Sequence, residues 1–157
     1  MNSIFRPHGR FHIWTEGQLL LTEVTGPWNR ELINYWAAQA LKLTRQFSVE
    51  RPYIAITTVY DSILCPSDAI DRIAQAIEFS HTKLPCLENL IVAADDVEGR
   101  ELVQSTYRRI GIRRFYTKFE DAKAWAEQAL REHQLHSTSS NLTDSKLTDT
   151  SPTELTS

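Results

Sequence analysis

Phe11-His12-Ile13-Trp14-Thr15-Glu16-Gly17-Gln18-Leu19-Leu20-Leu21-Thr22-Glu23-Val24 is the stretch whose reading decides the fold. Phe11 to Trp14 alternates, and Leu19 to Val24 is apolar and β-favouring. Between them, Thr15-Glu16-Gly17-Gln18 forms a tight turn in which Gly17 can take positive φ, so the stretch reads as a β-hairpin. Gly26-Pro27-Trp28-Asn29 then breaks the second strand. Asn29 suits the N-cap of a helix, and Glu31 suits the positive end of its dipole.

Downstream, Leu32, Trp36, Ala40, Leu43 and Phe47 recur at helical steps, the apolar stripe of an amphipathic helix of about 18 residues. Arg51-Pro52 ends it. Tyr53 to Tyr60 is rich in β-branched and aromatic residues and reads as a buried strand. After a loop from Asp61 to Pro66, Ser67 caps a second helix with Ile70, Ile73, Ala74 and Ile77 on one face, ended by Lys83-Leu84-Pro85. Leu90 to Ala94 is a continuous apolar run, as expected of a central strand, stopped by Asp95-Asp96. Leu102, Val103, Tyr107 and Ile110 mark a third helix closed by Gly111. Phe115-Tyr116-Thr117 is a short strand, and Phe119, Ala122, Trp125, Ala126 and Ala129 mark a fourth helix.

The order β-β-α-β-α-β-α-β-α implies an α/β fold. Strands that alternate with helices need crossovers, so the five-stranded sheet is mixed and mostly parallel, with the N-terminal hairpin as its antiparallel pair. About four helices cover it in one layer or two.

The chain has 157 residues, 41% hydrophobic, with a net charge of −3. That suits one globular domain and excludes collagen-like, coiled-coil and wholly disordered chains. A pI near 5.9 argues against a generally basic nucleic-acid binder. No apolar run approaches a membrane span. Met1 to His8 lacks a charged segment followed by a hydrophobic one, so a cytoplasmic setting is expected. Residues 137–157 number 21, and 12 of them are Ser or Thr. With three Leu and no aromatic, they cannot bury enough apolar surface to offset their ordering entropy. The expected organisation is a domain over 1–136 followed by a disordered Ser/Thr-rich tail over 137–157.

Four features together resemble the SpoIIAA-like proteins of the STAS fold. They are the hairpin Phe11–Val24 leading through Gly26-Pro27-Trp28 into a long helix, and the strand Tyr53–Tyr60 ending at Asp61-Ser62. The others are the strand Leu90-Ile91-Val92-Ala93, and Phe115 to Trp125 with its acidic pair Glu120-Asp121. The resemblance covers roughly residues 8–131 and rests on patterns of structure rather than of chemistry. It implies a STAS-like fold in a bacterial family of largely unknown function. The wider fold includes antagonists that bind protein partners under control of one phosphorylated Ser, and it is related to lipid-carrying domains.

The resemblance places a possible phosphorylation switch at Ser62 or Ser67, where helix N–H groups would favour a phosphate. Here, however, Ile63-Leu64-Cys65-Pro66 follows in place of a second small residue and Gly, and both serines also read as turn or cap residues. Asp61, Asp95, Asp96 and Lys118 should gather at the C-terminal edge of the sheet, where α/β ligands bind. Such a set suits Mg²⁺-assisted phosphoryl transfer, but the opening hairpin and the lack of a phosphate-cradling Gly-rich loop argue against it. The aspartates read equally as loop and cap residues. No metal or other cofactor is expected.

Cys65 and Cys86 flank a crossover helix, so they should lie roughly 18–20 Å apart and remain free thiols. Arg108-Arg109 and Arg113-Arg114 could face an anionic partner, though the first pair also suits a helix C-terminus. The five histidines show no metal spacing, and no Ser–His–Asp or Cys–His set is visible. Trp14, Trp28, Tyr35 and Trp36 belong either to the core or to an interface or ligand-lining surface, with Trp28 and Trp36 on nearly one face of the first helix.

The expected function is therefore a non-enzymatic interaction or regulatory module that binds a protein partner or a second copy of itself, without nucleic acid. Its signature would be an exposed apolar patch. The alternative is a carrier or sensor of a small hydrophobic, lipid-like ligand, which requires a closed apolar cavity of at least ~300 Å³.

Overall fold

Gly17-Gln18 alone turns the chain between β1 (Arg10–Glu16) and β2 (Leu19–Thr25), because Glu16 pairs directly with Leu19. Gly17 has φ 56°, as a two-residue hairpin turn with Gly first requires. A computed structural model describes the backbone of residues 6–156 and the side chains of residues 6–137. β3 (Tyr53–Tyr60), β4 (Cys86–Ala93) and β5 (Arg114–Tyr116) follow, and the sheet order is β1-β2-β3-β4-β5. Only β1–β2 is antiparallel, and every other neighbouring pair is parallel.

The connections step one strand at a time in a single direction. Right-handed crossovers of that kind put their helices on one face of the sheet. α1 (Arg30–Leu43), α2 (Ser67–Thr82) and α3 (Arg100–Arg109) accordingly pack on the face of Val24, Val59, Ile91 and Ala93. α4 (Phe119–Thr156) returns across the other face, where Ala122, Ala126 and Leu130 meet Leu21, Ile56 and Leu90. Strand side chains alternate between faces, so adjacent residues such as Leu20 and Leu21 serve different layers. The two helical layers explain why β3 and β4 are apolar throughout rather than alternating.

Local chemistry sets the element ends. Asn29 caps α1 by accepting from Leu32 N at 3.1 Å. The same side-chain oxygen accepts from His8 N at 3.0 Å, and its amide donates to Arg6 O at 2.7 Å, which ties the N-terminal segment to the helix. α1 is shorter than its apolar stripe predicts. The Thr44 hydroxyl donates to Leu41 O at 3.1 Å, the chain tightens into a 3₁₀ turn over Thr44–Gln46, and Phe47 reaches the core from extended backbone, stacking on Tyr53 at 4.8 Å. Trp28 precedes α1 rather than sharing a helical face with Trp36. The cap position of α2 is Pro66, without a side-chain cap bond, so Ser67 is the first helical residue rather than the cap.

β4 starts at Cys86, earlier than its apolar run suggests, because Glu88 and Asn89 join the ladder opposite Ile54 and Ala55. At Gly26, an added Cβ would fall on the Ser62 carbonyl, so this position tolerates no side chain. The expectation for residues 137–157 falls, beyond Ser137 itself, outside the residues whose side chains are described. Among the described residues, no helix is long and apolar enough to cross a membrane.

Candidate functional site

Asp61 follows β3, Asp95 and Asp96 follow β4, and Lys118 follows β5, so all four lie beyond the C-terminal edge of the sheet. They share the edge without forming a centre. Among the described residues, no three His, Cys, Asp or Glu side chains are grouped to hold a metal. The ion pair seen among the described residues joins Lys123 to Glu16 at 3.9 Å, at the opposite edge of the sheet beside the hairpin turn, and does not involve Lys118. The topology explains this: crossovers that all step the same way leave no switch point, and it is there that a crevice opens at a strand edge. Asp61 has φ 67°, a left-handed conformation for a non-glycine residue, and its carbonyl accepts from Glu98 N at 2.9 Å.

The two serines differ in access. Ser62 is 2% exposed and its hydroxyl accepts from Leu64 N at 3.2 Å, which makes it an internal turn residue. Ser67 is exposed in the first turn of α2. Beside Asp61 opens a cleft of about 840 Å³, walled by His8, Arg10, Pro27, Trp28 and Cys65.

Behind that wall lie two unpartnered buried polar atoms among the described residues. Trp28 Nε1 and the Tyr107 hydroxyl are buried with no hydrogen-bond partner, in residues 5% and 1% exposed. Both come close enough to the Cys65 sulfur to favour its charged form, yet neither meets hydrogen-bond geometry. Burial outweighs them and pushes the Cys65 thiol up to about 11. The enclosed cavity that Trp28 and Tyr107 line, with Phe11, Val24, Trp36 and Ile73, is only about 60 Å³. A drug-sized ligand needs about 300 Å³ or more, and this cavity is well below that size.

A Cys–His–Asn neighbourhood is legible only in three dimensions. Asn89 Nδ2 lies 3.2 Å from His81 Nε2, 3.2 Å from Ser80 Oγ and 3.5 Å from Cys86 Sγ. His81 Nδ1 contacts the Cys86 carbonyl at 3.1 Å. Both imidazole nitrogens are therefore engaged away from the sulfur, and burial raises the Cys86 thiol to about 11. The set lacks the nucleophile–base contact that covalent catalysis needs and acts as a polar clamp between α2 and β4, buried at Ser80, Cys86 and Asn89 and exposed at His81. Spacing gave little sign of it, because Asn89 sits next to an apolar run and reads as its polar flank.

The aromatic set divides. Trp28 belongs to the core, and Trp36 is half-buried with its Nε1 donating to Thr22 Oγ1 at 3.0 Å. Tyr35 is 61% exposed on α1. Trp14 is half-buried on the α4 face, stacked on His12 at 4.8 Å. Trp14 and Tyr35 therefore stand on opposite faces of the sheet.

An apolar concavity over the helical face lies between α1 and α2. It measures about 520 Å³, with Leu20, Tyr53 and Ala55 as its floor and Ala38, Leu41 and Phe79 on its walls. Leu41 and Phe79 are exposed, and Arg72 Nε bridges to Asn34 Oδ1 at 2.8 Å across the helix pair. Comparison with protein-family models, curated proteins and solved structures returns no match.

Proposed function

We propose that this chain is a non-enzymatic, STAS-like interaction module that docks an amphipathic helix of a protein partner in the α1–α2 groove. The observation that carries the reading is the concavity itself: an apolar depression between α1 and α2 that presents Leu41 and Phe79 to solvent above the buried Leu20, Tyr53 and Ala55. Grooves of this kind take a helix that inserts side chains at i, i+3, i+4 and i+7. α1 and α2 run parallel because both connect parallel strands. Their C-terminal ends carry Lys42, Arg45 and Lys83 beside Glu78, and their N-terminal ends carry Glu31, Asp68 and Asp71 beside Arg30 and Arg72, so the two ends differ in sign of net charge. The fitting partner is a helix that is acidic at its N-terminus and lies antiparallel to both, so that charge and dipole agree.

The hydrophobic-carrier alternative would use this same groove or the cleft beside Asp61, since the enclosed cavity is about 60 Å³. The direct test is titration of a synthetic amphipathic peptide, with a Leu/Phe stripe and an acidic N-terminus, into isotope-labelled protein. Amide shifts confined to α1 and α2, lost in Ala38→Arg, support docking. Shifts elsewhere or nowhere overturn it. A small hydrophobic molecule that persists in native mass spectra favours the carrier reading instead.

A further inference from the structure

β1 borders the sheet, with β2 on one side and, among the described residues, no strand on the other. Sheet edges are normally blunted by shortness, Pro, Lys, bulges or charge. The opposite edge follows that rule: β5 has three residues, begins at Arg114, and that guanidinium stacks over Trp125 at 4.1 Å. β1 has seven residues with no Pro, no Lys and no register shift against β2. Its charges stand at its two ends, Arg10 and Glu16, and they are opposite in sign.

We propose that β1 pairs antiparallel with β1 of a second copy of this chain, about a twofold axis at Ile13, joining two five-stranded sheets into one. The backbone parity supports this register. The two-residue turn makes Glu16 and Leu19 a hydrogen-bonded pair. By alternation, Arg10, His12, Trp14 and Glu16 direct their backbone groups to β2, while Phe11, Ile13 and Thr15 direct theirs outward. With Ile13 opposite Ile13 of the second copy, Phe11 falls opposite Thr15, and all the outward groups find partners.

The side chains match in the same register. Arg10 falls opposite Glu16 at both ends of the ribbon, a self-complementary pair of ion pairs. His12 falls opposite Trp14 in a non-hydrogen-bonded pair, where side chains approach most closely. Within one chain, His12 and Trp14 already stack at 4.8 Å, so the dimer extends that stack. Above the edge, α1 supplies a further contact. Asn34, Ala37, Ala38 and Leu41 turn toward α2, and Trp36 packs on the core. At ~100° per residue, Tyr35 is left on the flank of α1 away from α2, on the β1 side. Its 61% exposure is what an interface aromatic shows in a free protomer. The twofold symmetry makes the contact closed, so it ends at a dimer rather than a fibre.

The inference goes beyond the docking reading, because β1 and the α1–α2 groove lie on different flanks of α1. Either can fail alone. The test is sedimentation of the full chain over a concentration series. The expected result is a species of about twice the 18.1 kDa chain mass. Arg10→Glu sets like charges opposite each other twice and should weaken the dimer by roughly tenfold or more. The double exchange Arg10→Glu with Glu16→Arg should restore it in part, because within its own chain Glu16 also pairs with Lys123 and accepts from Trp14 Nε1. Ile13→Pro removes an outward N–H without touching the β2 ladder and should give a folded monomer by circular dichroism. A wild-type chain that stays monomeric at its solubility limit overturns the proposal. So does a dimer that survives both Arg10→Glu and Ile13→Pro, including one broken by Ala38→Arg instead.

Discussion

Trp28 Nε1 and the Tyr107 hydroxyl, brought from the end of the hairpin and from α3, are both buried without a hydrogen-bond partner, and both lie beside the Cys65 sulfur. Two donors thus face one soft, weakly accepting atom. An unsatisfied buried hydroxyl costs about 1–3 kcal/mol.

Tyr107→Phe should therefore raise stability, by about 1 kcal/mol in urea unfolding with an unchanged m-value. A loss of stability would show that the hydroxyl has an acceptor in the folded protein, with the Cys65 sulfur first in line.

The thiols make an alkaline limit. Burial lifts both Cys65 and Cys86 to about 11, against an ordinary thiol value of about 8.5. Between those values the unfolded chain loses thiol protons that the folded chain keeps, so stability is intact below about 8.5 and falls as pH rises through about 11. Burial raises Tyr53 and Tyr107 in the same sense, so the tyrosines extend the loss upward. Thermal melts should fall progressively over this range. Ellman's reagent at pH 8 should react with the native protein far more slowly than with the unfolded chain, and rapid native labelling at pH 8 would contradict the burial.

Asn29 holds three main-chain partners at once, Leu32 N, His8 N and Arg6 O. Asn29→Ala should cost about 1–2 kcal/mol. Asn29→Ser should recover most of the helix stability but leave the N-terminal segment loose. Amide exchange at His8 separates the two roles: both variants should lose protection there, while only Asn29→Ala frays the start of α1.

Much of the fold can be read along the chain, because the signals involved are local. Gly17 in a two-residue turn, the cap at Asn29 and the run Tyr53–Tyr60 each reflect conformational preferences that act within a few residues. Errors cluster where tertiary contact overrides those preferences. Asn89 looks like a polar flank of an apolar run, yet it lies inside β4 because Ser80 and His81 on α2 satisfy its amide. Trp28 looks like the first residue of a helical stripe, yet the chain delivers it to the core before the helix starts. The candidate sites fared differently. Asp61, Asp95, Asp96 and Lys118 reach the expected edge, but spacing cannot say whether side chains at one edge converge.

The sequence by itself determined the order of elements, the antiparallel hairpin and the mostly parallel sheet, since turn chemistry, caps and hydrophobic period act over short separations. Only the tertiary structure decided which aromatics are structural and which are presented. Trp28 and Tyr35 are seven residues apart and equally apolar in a list, but one is 5% exposed and the other 61%. That difference depends on which flank of α1 meets α2 and which is left beside the open edge of β1. It depends on packing between elements far apart in sequence, which no local pattern encodes.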